Sequence, residues 1–224
     1  MILVLTTAAL LLGSCATTKQ ARGTKPSGFL EDYSMLKKGT KDEALMVYVS
    51  PAFVENCRDY DKVMIEPVTI WTDGDIKDVP EEDRQHLVNY VHEALKKELY
   101  RHYSIVHEPQ PGTLKIRVAL TEAEGSWVVL DTISSIVPQM LVISQLKNLA
   151  TGTASFVGKA GVEADVTDVI TGERLLAGVD RRAGQKSWSG MTKKWDDVEK
   201  SYDLWAKKIA ARLAGCGAIP EIKD

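Results

Sequence analysis

The chain has 224 residues and 44% hydrophobic content, enough for one domain with a proper core. Its 28 basic and 31 acidic residues leave a net charge of −3, which excludes the basic footprint of a nucleic-acid-binding protein. The apolar start, Met1 to Leu12, falls well short of the roughly 20 residues a transmembrane helix needs.

That start ends in Leu12-Gly13-Ser14-Cys15, the pattern of a bacterial lipoprotein signal cut before a cysteine whose thiol then carries lipid. No Lys or Arg precedes the run, a departure from exported leaders that points to a start displaced by a few codons. Residues 1–14 are therefore read as a signal peptide and Cys15 as the lipidated residue. Two or more acyl chains hold a protein stably on a bilayer, so Cys15 makes the membrane the first expected partner. Ala16 follows where aspartate would retain an enteric lipoprotein at the inner membrane, which favours the periplasmic face of the outer membrane. Residues 15–28 are polar and aperiodic, with Pro26 and Gly28, and read as a flexible tether spanning roughly 20 Å as a coil.

Residues 29–224 read as a single α+β domain. Ser27 to Leu36 is a short amphipathic entry segment, followed by the apolar run Ala44 to Val49. Lys62 to Trp71, KVMIEPVTIW, reads as one strand with Pro67 at an edge or bulge. Asp78 with Glu81 suggests a capping pair for a helix from about Pro80 to His102, whose Leu87, Val88, Val91, Ala94, Leu95 and Leu99 recur every three or four residues. Ser104 to His107 and Thr113 to Glu122 read as strands around the Pro109/Pro111/Gly112 turn. The spacing predicts a hairpin of Ala160 to Thr167 with Arg174 to Arg181, turning at Thr171-Gly172. Trp195, Val198, Tyr202, Trp205, Ile209 and Leu213 predict a long amphipathic helix closed by Gly215. The order predicts an antiparallel sheet of about four to five strands, with two long amphipathic helices on one face, a helical insert between central strands and a polar solvent face.

SGFLEDYSML at Ser27, KVMIEPVTIW at Lys62, LATGTASFVGKAGVEADVTDVITGERLLAGVDRRAG from Leu149 and YDLWAKKIAARL at Tyr202 resemble the bacterial lipoprotein family filed as domain of unknown function 3313. The TGERL-to-DRRAG segment is the most specific part. The resemblance implies an envelope lipoprotein with no established activity or catalytic set.

The residues themselves supply little chemistry. His86 and His92 are six apart, roughly 240° around a helix, and neither they nor His102 and His107 fit a metal-ligand spacing. No GxSxG elbow, Walker loop, GxGxxG or CxxC occurs, and the acidic pairs Glu81/Glu82 and Asp196/Asp197 sit where helix starts favour carboxylates. No catalytic residue, metal or cofactor is expected.

Three features carry the functional reading. Cys57 and Cys216 are an even pair that an oxidising periplasm would allow to bond. Asp180, Arg181 and Arg182, with Trp188 beyond, could bind peptidoglycan, a lipid headgroup or a partner; alternatively, the arginines pair with strand acids such as Glu163 or Asp165. Trp127 to Leu149 is dense in apolar residues but broken by Pro138, suggesting two short helices. They either cover a sheet face or expose Val137, Met140 and Leu141 for association with a second copy, an envelope protein or a bilayer. The expectation is a non-enzymatic envelope scaffold or accessory lipoprotein. The alternative is a lipoprotein that binds a lipid or glycan in an apolar pocket.

Overall fold

The computed structural model describes residues 18–75, 79–125, 158–184 and 194–218. Among them run nine strands and three α-helices. In chain order these are β1 (Thr18–Gln20), β2 (Lys37–Lys38), β3 (Met46–Val49), α1 (Pro51–Asn56), β4 (Lys62–Ile65), β5 (Thr69–Asp75), α2 (Glu81–Leu99), β6 (Ser104–Ile105), β7 (Thr113–Glu124), β8 (Lys159–Asp168), β9 (Arg174–Gly184) and α3 (Asp196–Ala214).

Three long strands, β7, β8 and β9, form an antiparallel centre, and short strands complete both edges. On one edge β3 and then β1 pair antiparallel with successive parts of β9, and β2 pairs with β3. On the other, β4 and then β5 lie parallel to β7. The sheet is thus mixed and larger than the antiparallel four to five strands expected. Pro67 divides KVMIEPVTIW into β4 and β5 because it has no N–H to continue the ladder, although Glu66 N still donates to Ile116 O at 3.0 Å. Helix α2 then returns the chain along the sheet, so β7 runs in the same direction as the strands before the crossover. Nor do Ser104 to His107 and Thr113 to Glu122 pair with each other; β4 lies between β6 and β7.

The β8–β9 hairpin forms as the pattern predicts. Asp168 Oδ1 accepts from Ile170 N and Thr171 N at 2.8 and 2.7 Å, and Gly172 takes φ +74°, a backbone conformation costly for other residues. A bulge places two residues of β7, Thr121 and Glu122, opposite the single Gly161. A Cβ on Gly161 would lie 2.7 Å from Thr121 Oγ1, so the partner position accepts only glycine without local movement.

Period-two alternation along the central strands sends Leu114, Ile116, Val118, Leu120, Val162 and Val166 to one face. Both long helices pack there through Leu87, Val91, Leu95 and Leu99 of α2 and Val198, Tyr202, Trp205 and Leu213 of α3. The helices run parallel, since Asp83, His86 and Tyr90 meet Trp195, Glu199 and Asp203 in the same order. Asp78 lies outside the described residues; the N-cap of α2 is Pro80, which makes no side-chain cap. Cys57, in a 3-10 turn after α1, is disulfide-bonded to Cys216 beyond α3, with their Cα atoms 5.4 Å apart. Closing so long a loop restricts the unfolded chain by about 2–5 kcal/mol.

Two expectations about the N-terminal part change. The tether does not run as coil to Gly28, because Thr18–Gln20 add β1 to the sheet and Ala21 N donates to Arg181 O at 2.8 Å. The face away from the helices is not left to solvent either. Residues 27–36 fold across it and bury Phe29, Leu30 and Leu36 against Ala119, Ala177 and Val179.

Trp205 fills the α3–sheet interface, and its Nε1 donates to Asp180 Oδ2 at 2.7 Å. Trp205→Ala should cost about 3–5 kcal/mol in denaturant unfolding. Trp205→Phe should cost about 1–3 kcal/mol because it leaves a buried carboxylate oxygen without its donor. A Trp205→Phe variant as stable as the parent would mean that the hydrogen bond contributes nothing beyond packing.

Candidate functional site

Cys15, Trp188 and the Val137, Met140 and Leu141 set all lie outside the described residues. Asp180, Arg181 and Arg182 do not form one binding surface, because neighbouring residues of a strand point to opposite faces. Asp180 and Arg182 face the helices, each only 3% exposed. Arg182 donates to Thr18 Oγ1 and Thr18 O at 2.8 and 2.6 Å, tying β1 to β9. Arg181 points to the other face and grips Glu122 through Nε and Nη2, with Nη2–Oε1 at 2.6 Å. The acid beside Arg181 is therefore Glu122, brought to that face by the bulge, and not Glu163 or Asp165.

Those two acids hold the N-terminal cover. Glu163 is 0% exposed: Oε1 accepts from Ser27 N at 2.6 Å and Oε2 from the Tyr33 hydroxyl at 2.5 Å. The Tyr33 oxygen in turn accepts from Gly28 N at 2.8 Å and Leu30 N at 3.2 Å. Asp165, 1% exposed, receives a two-pronged contact from Arg117 at 3.0 and 2.8 Å. Arg117 also stacks over the Phe29 ring, 5.2 Å from its centroid, and Phe29 meets Trp71 edge-on. Arg174 reaches Leu30 O and Asp32 O at 2.7 and 2.8 Å. Sequence reasoning missed this network. Its available signal was the pairing of acidic positions in β8 with an arginine at the facing position of β7, beside an amphipathic segment in need of a surface.

The strand ends and helix starts form a second pattern. Thr18 pairs with Gly184, Glu124 with Lys159, and Gly184 N donates to Gly158 O at 2.8 Å. Gly158 N reaches Asp197 Oδ2 in the first turn of α3, and Asp83 in the first turn of α2 accepts from Lys194 Nζ and Trp195 Nε1. Hence the start of β1, both helix N-termini and both ends of the 126–157 connection gather at one pole. The disulfide and the β8–β9 turn mark the other, about 30 Å away along β8 at about 3.3 Å per residue.

A third feature is a half-open cavity of about 110 Å³ between α3, the Asp42–Tyr48 segment and the sheet. Its walls include Val47, Val162, Val166, Leu176, Ile209 and Leu213. Asp180 lies at its base, where Oδ1 accepts from Gln20 Nε2 at 2.7 Å and Oδ2 from Trp205. Burial pushes its carboxyl above the usual range, opposed by the hydrogen bonds from Trp205 and Gln20 and the charge of Arg182.

The histidines form no cluster. His86 Nε2 lies 2.7 Å from Glu199 Oε1, bridging the two helices, and among the described residues no group of three or more His, Cys, Asp or Glu side chains is arranged to hold a metal. No described helix is long and apolar enough to cross a membrane.

These features define a mixed α+β domain stabilised by a buried polar network under an N-terminal cover. The family model for Protein of unknown function (DUF3313) matches residues 25–209, and the chain belongs to that family. It is 26% identical over 185 residues to the uncharacterized lipoprotein YdcL of Escherichia coli (strain K12), covering 79% of this chain and 78% of that protein. The homology points to a lipoprotein of the cell envelope. Among solved structures, a PelC dodecamer from Paraburkholderia phytofirmans is similar at a TM-score of 0.40 and 14% identity, over 77% of this chain and 95% of that one.

Glu163→Gln should destabilise the domain by about 1–3 kcal/mol, since an amide nitrogen replaces one of two buried acceptors facing donors. It should also speed chymotryptic cleavage after Phe29, which is buried in the cover; an unchanged cleavage rate would show that the cover does not depend on Glu163. Burial first, and then the neighbouring Glu163 carboxylate, raises the Tyr33 phenol above its ordinary value of 10.0. A group raised on folding contributes stability that is complete below the unfolded value and is lost as pH rises through the folded one. Tyr33→Phe should therefore show a shallower fall in stability than the parent above about pH 10, as read by unfolding at stepped alkaline pH.

Proposed function

We propose that the protein is a lipid-anchored, non-enzymatic scaffold or accessory factor of the cell envelope, held with one pole against the membrane. The observation that carries this reading is that β1 begins at Thr18, three residues beyond Cys15. Three residues reach at most about 10 Å, so a lipidated Cys15 keeps the Thr18 pole within that distance of the bilayer surface. The sheet, rather than a long coil, then sets the orientation. Ala16 favours the periplasmic face of the outer membrane as the site of anchoring.

The 126–157 connection leaves and re-enters at the same pole, between Gly125 and Gly158. Val137, Met140 and Leu141 belong to this connection, and in this reading their apolar side chains serve contact with the bilayer, a second copy of the chain or an envelope protein. The Asp180–Arg182 stretch takes no part in this reading, because two of its three side chains are buried structural groups.

Cys15→Ser should abolish labelling by a fatty-acid analogue and leave uncleaved precursor; retained labelling would remove the anchor from this account. In the chain from Ala16 onward, which carries neither leader nor lipid, Val137→Glu with Leu141→Glu should reduce liposome flotation or oligomer size while leaving the melting temperature unchanged. A collapse of thermal stability would instead make these residues part of the core. A parent chain that neither floats nor associates would end the association reading.

A further inference from the structure

The cavity beneath α3 follows from the small residues that floor it. One row across the sheet reads Val118, Ala164, Gly178 and Val47, each paired with the next. Where β8 and β9 pass under Ile209 and Leu213, the side chains that would meet the helix are a methyl group and a hydrogen. A Cβ built on Gly178 meets nothing nearer than Ala44 Cβ at 3.7 Å and Met46 O at 3.8 Å, ordinary contact distances. Sterics therefore do not require glycine here, and the empty volume is a feature of this sequence rather than of its backbone.

The polar groups around the cavity are nearly all engaged. Asp180 receives Gln20, Trp205 and, at 3.3 Å, Leu45 N. Glu43 accepts from Thr40 N at 2.9 Å and from Arg212 Nη2 at 2.7 Å, and Lys208 Nζ donates to Asp42 O at 3.1 Å. Arg212 Nε is the exception: it is buried and has no hydrogen-bond partner among the described residues. Buried donors are almost always satisfied, so an orphan on a cavity wall calls for an acceptor supplied from elsewhere.

We infer that this cavity is a binding site for an aliphatic acyl chain that presents its carboxylate or ester oxygen to Arg212 Nε. The walls are branched aliphatic side chains, which suit a flexible hydrocarbon. A sugar would bring several hydroxyl groups and find one unused donor. An apolar cavity of about 150 Å³ holds a six-carbon ring, so a volume of about 110 Å³ takes a comparable short stretch of chain, with the remainder leaving through the open side. The site is independent of the anchored pole and stands or falls separately from the scaffold reading.

The test uses the chain from Ala16 onward, which carries neither the apolar leader nor a lipidated cysteine, so that no attached lipid or detergent competes, titrated calorimetrically with decanoate and, in a second arm, with a decanoyl lysophospholipid. Saturable one-to-one binding is expected, with decanoate preferred if the source is a free fatty acid and the lysophospholipid if it is a membrane lipid. Arg212→Lys keeps the charge facing Glu43 but removes Nε, and should weaken binding about tenfold or more, the loss of one charge-assisted hydrogen bond. Gly178→Val fills the floor and should abolish binding while melting no lower than the parent. If it does not fold, Arg212→Lys decides. Absence of saturable binding to either probe, or binding that survives Arg212→Lys, overturns the inference.

Discussion

Two carboxylates buried on a sheet face with no helix over it govern much of this structure. Glu163 and Asp165 have lost their water, and each would cost several kcal/mol if left uncompensated. Their compensation comes from far along the chain: the Ser27 amide, the Tyr33 hydroxyl, and Arg117 on the neighbouring strand. The cover, residues 27–36, is short and fully buries only Phe29, Leu30 and Leu36 among its apolar side chains, so hydrophobic burial alone would hold it weakly. Satisfying Glu163 and packing Phe29 between Arg117 and Trp71 place it in one register. Polar and apolar terms thus act on the same few residues, and the cover and the charged face each make the other tolerable.

The opposite face is held by ordinary means. Two parallel amphipathic helices pack on aliphatic rows of the sheet, and their polar contacts, His86 with Glu199 and Tyr90 with Asp203, lie along the seam between them. At one end the disulfide secures the last helix to the turn after α1. At the other, the helix starts, the first strand and the strand ends converge. The domain is therefore polar in the geometric sense, with one covalently closed end and one end from which the chain repeatedly enters and leaves.

Helices α2 and α3 were legible because their stripes repeat at the helical period, and the β8–β9 hairpin because TGER marks a turn between alternating segments. Strand pairing was not legible in the same way. KVMIEPVTIW has the composition of a strand, but its parallel placement beside β7 follows from the path of α2, which no local pattern records. The N-terminal cover was recognised as amphipathic, yet its partner acids lie some 130 residues away. Alternating acids in Ala160 to Thr167 look like a solvent face, and only the arrival of residues 27–36 turns them inward. Asp180, Arg181 and Arg182 misled for a related reason: adjacency in sequence suggested one surface, whereas the strand sends Arg181 away from its neighbours.

The bulge in β7 has a consequence for how this sequence can change in length. In a central strand, removing one residue ordinarily inverts the parity of every position beyond it, exchanging core and surface. At Thr121 the reverse holds. The strand already carries one residue more than its partner there, and Leu120, Glu122 and Ala123 would alternate regularly opposite Val162, Gly161 and Ala160 if Thr121 were absent. Glu122 would still face Arg181, and Ala123 would still face the helices. The longest strand of the sheet thus contains one site where a codon can be lost in frame without exchanging inside for outside, and the glycine facing it marks where that surplus residue is accommodated.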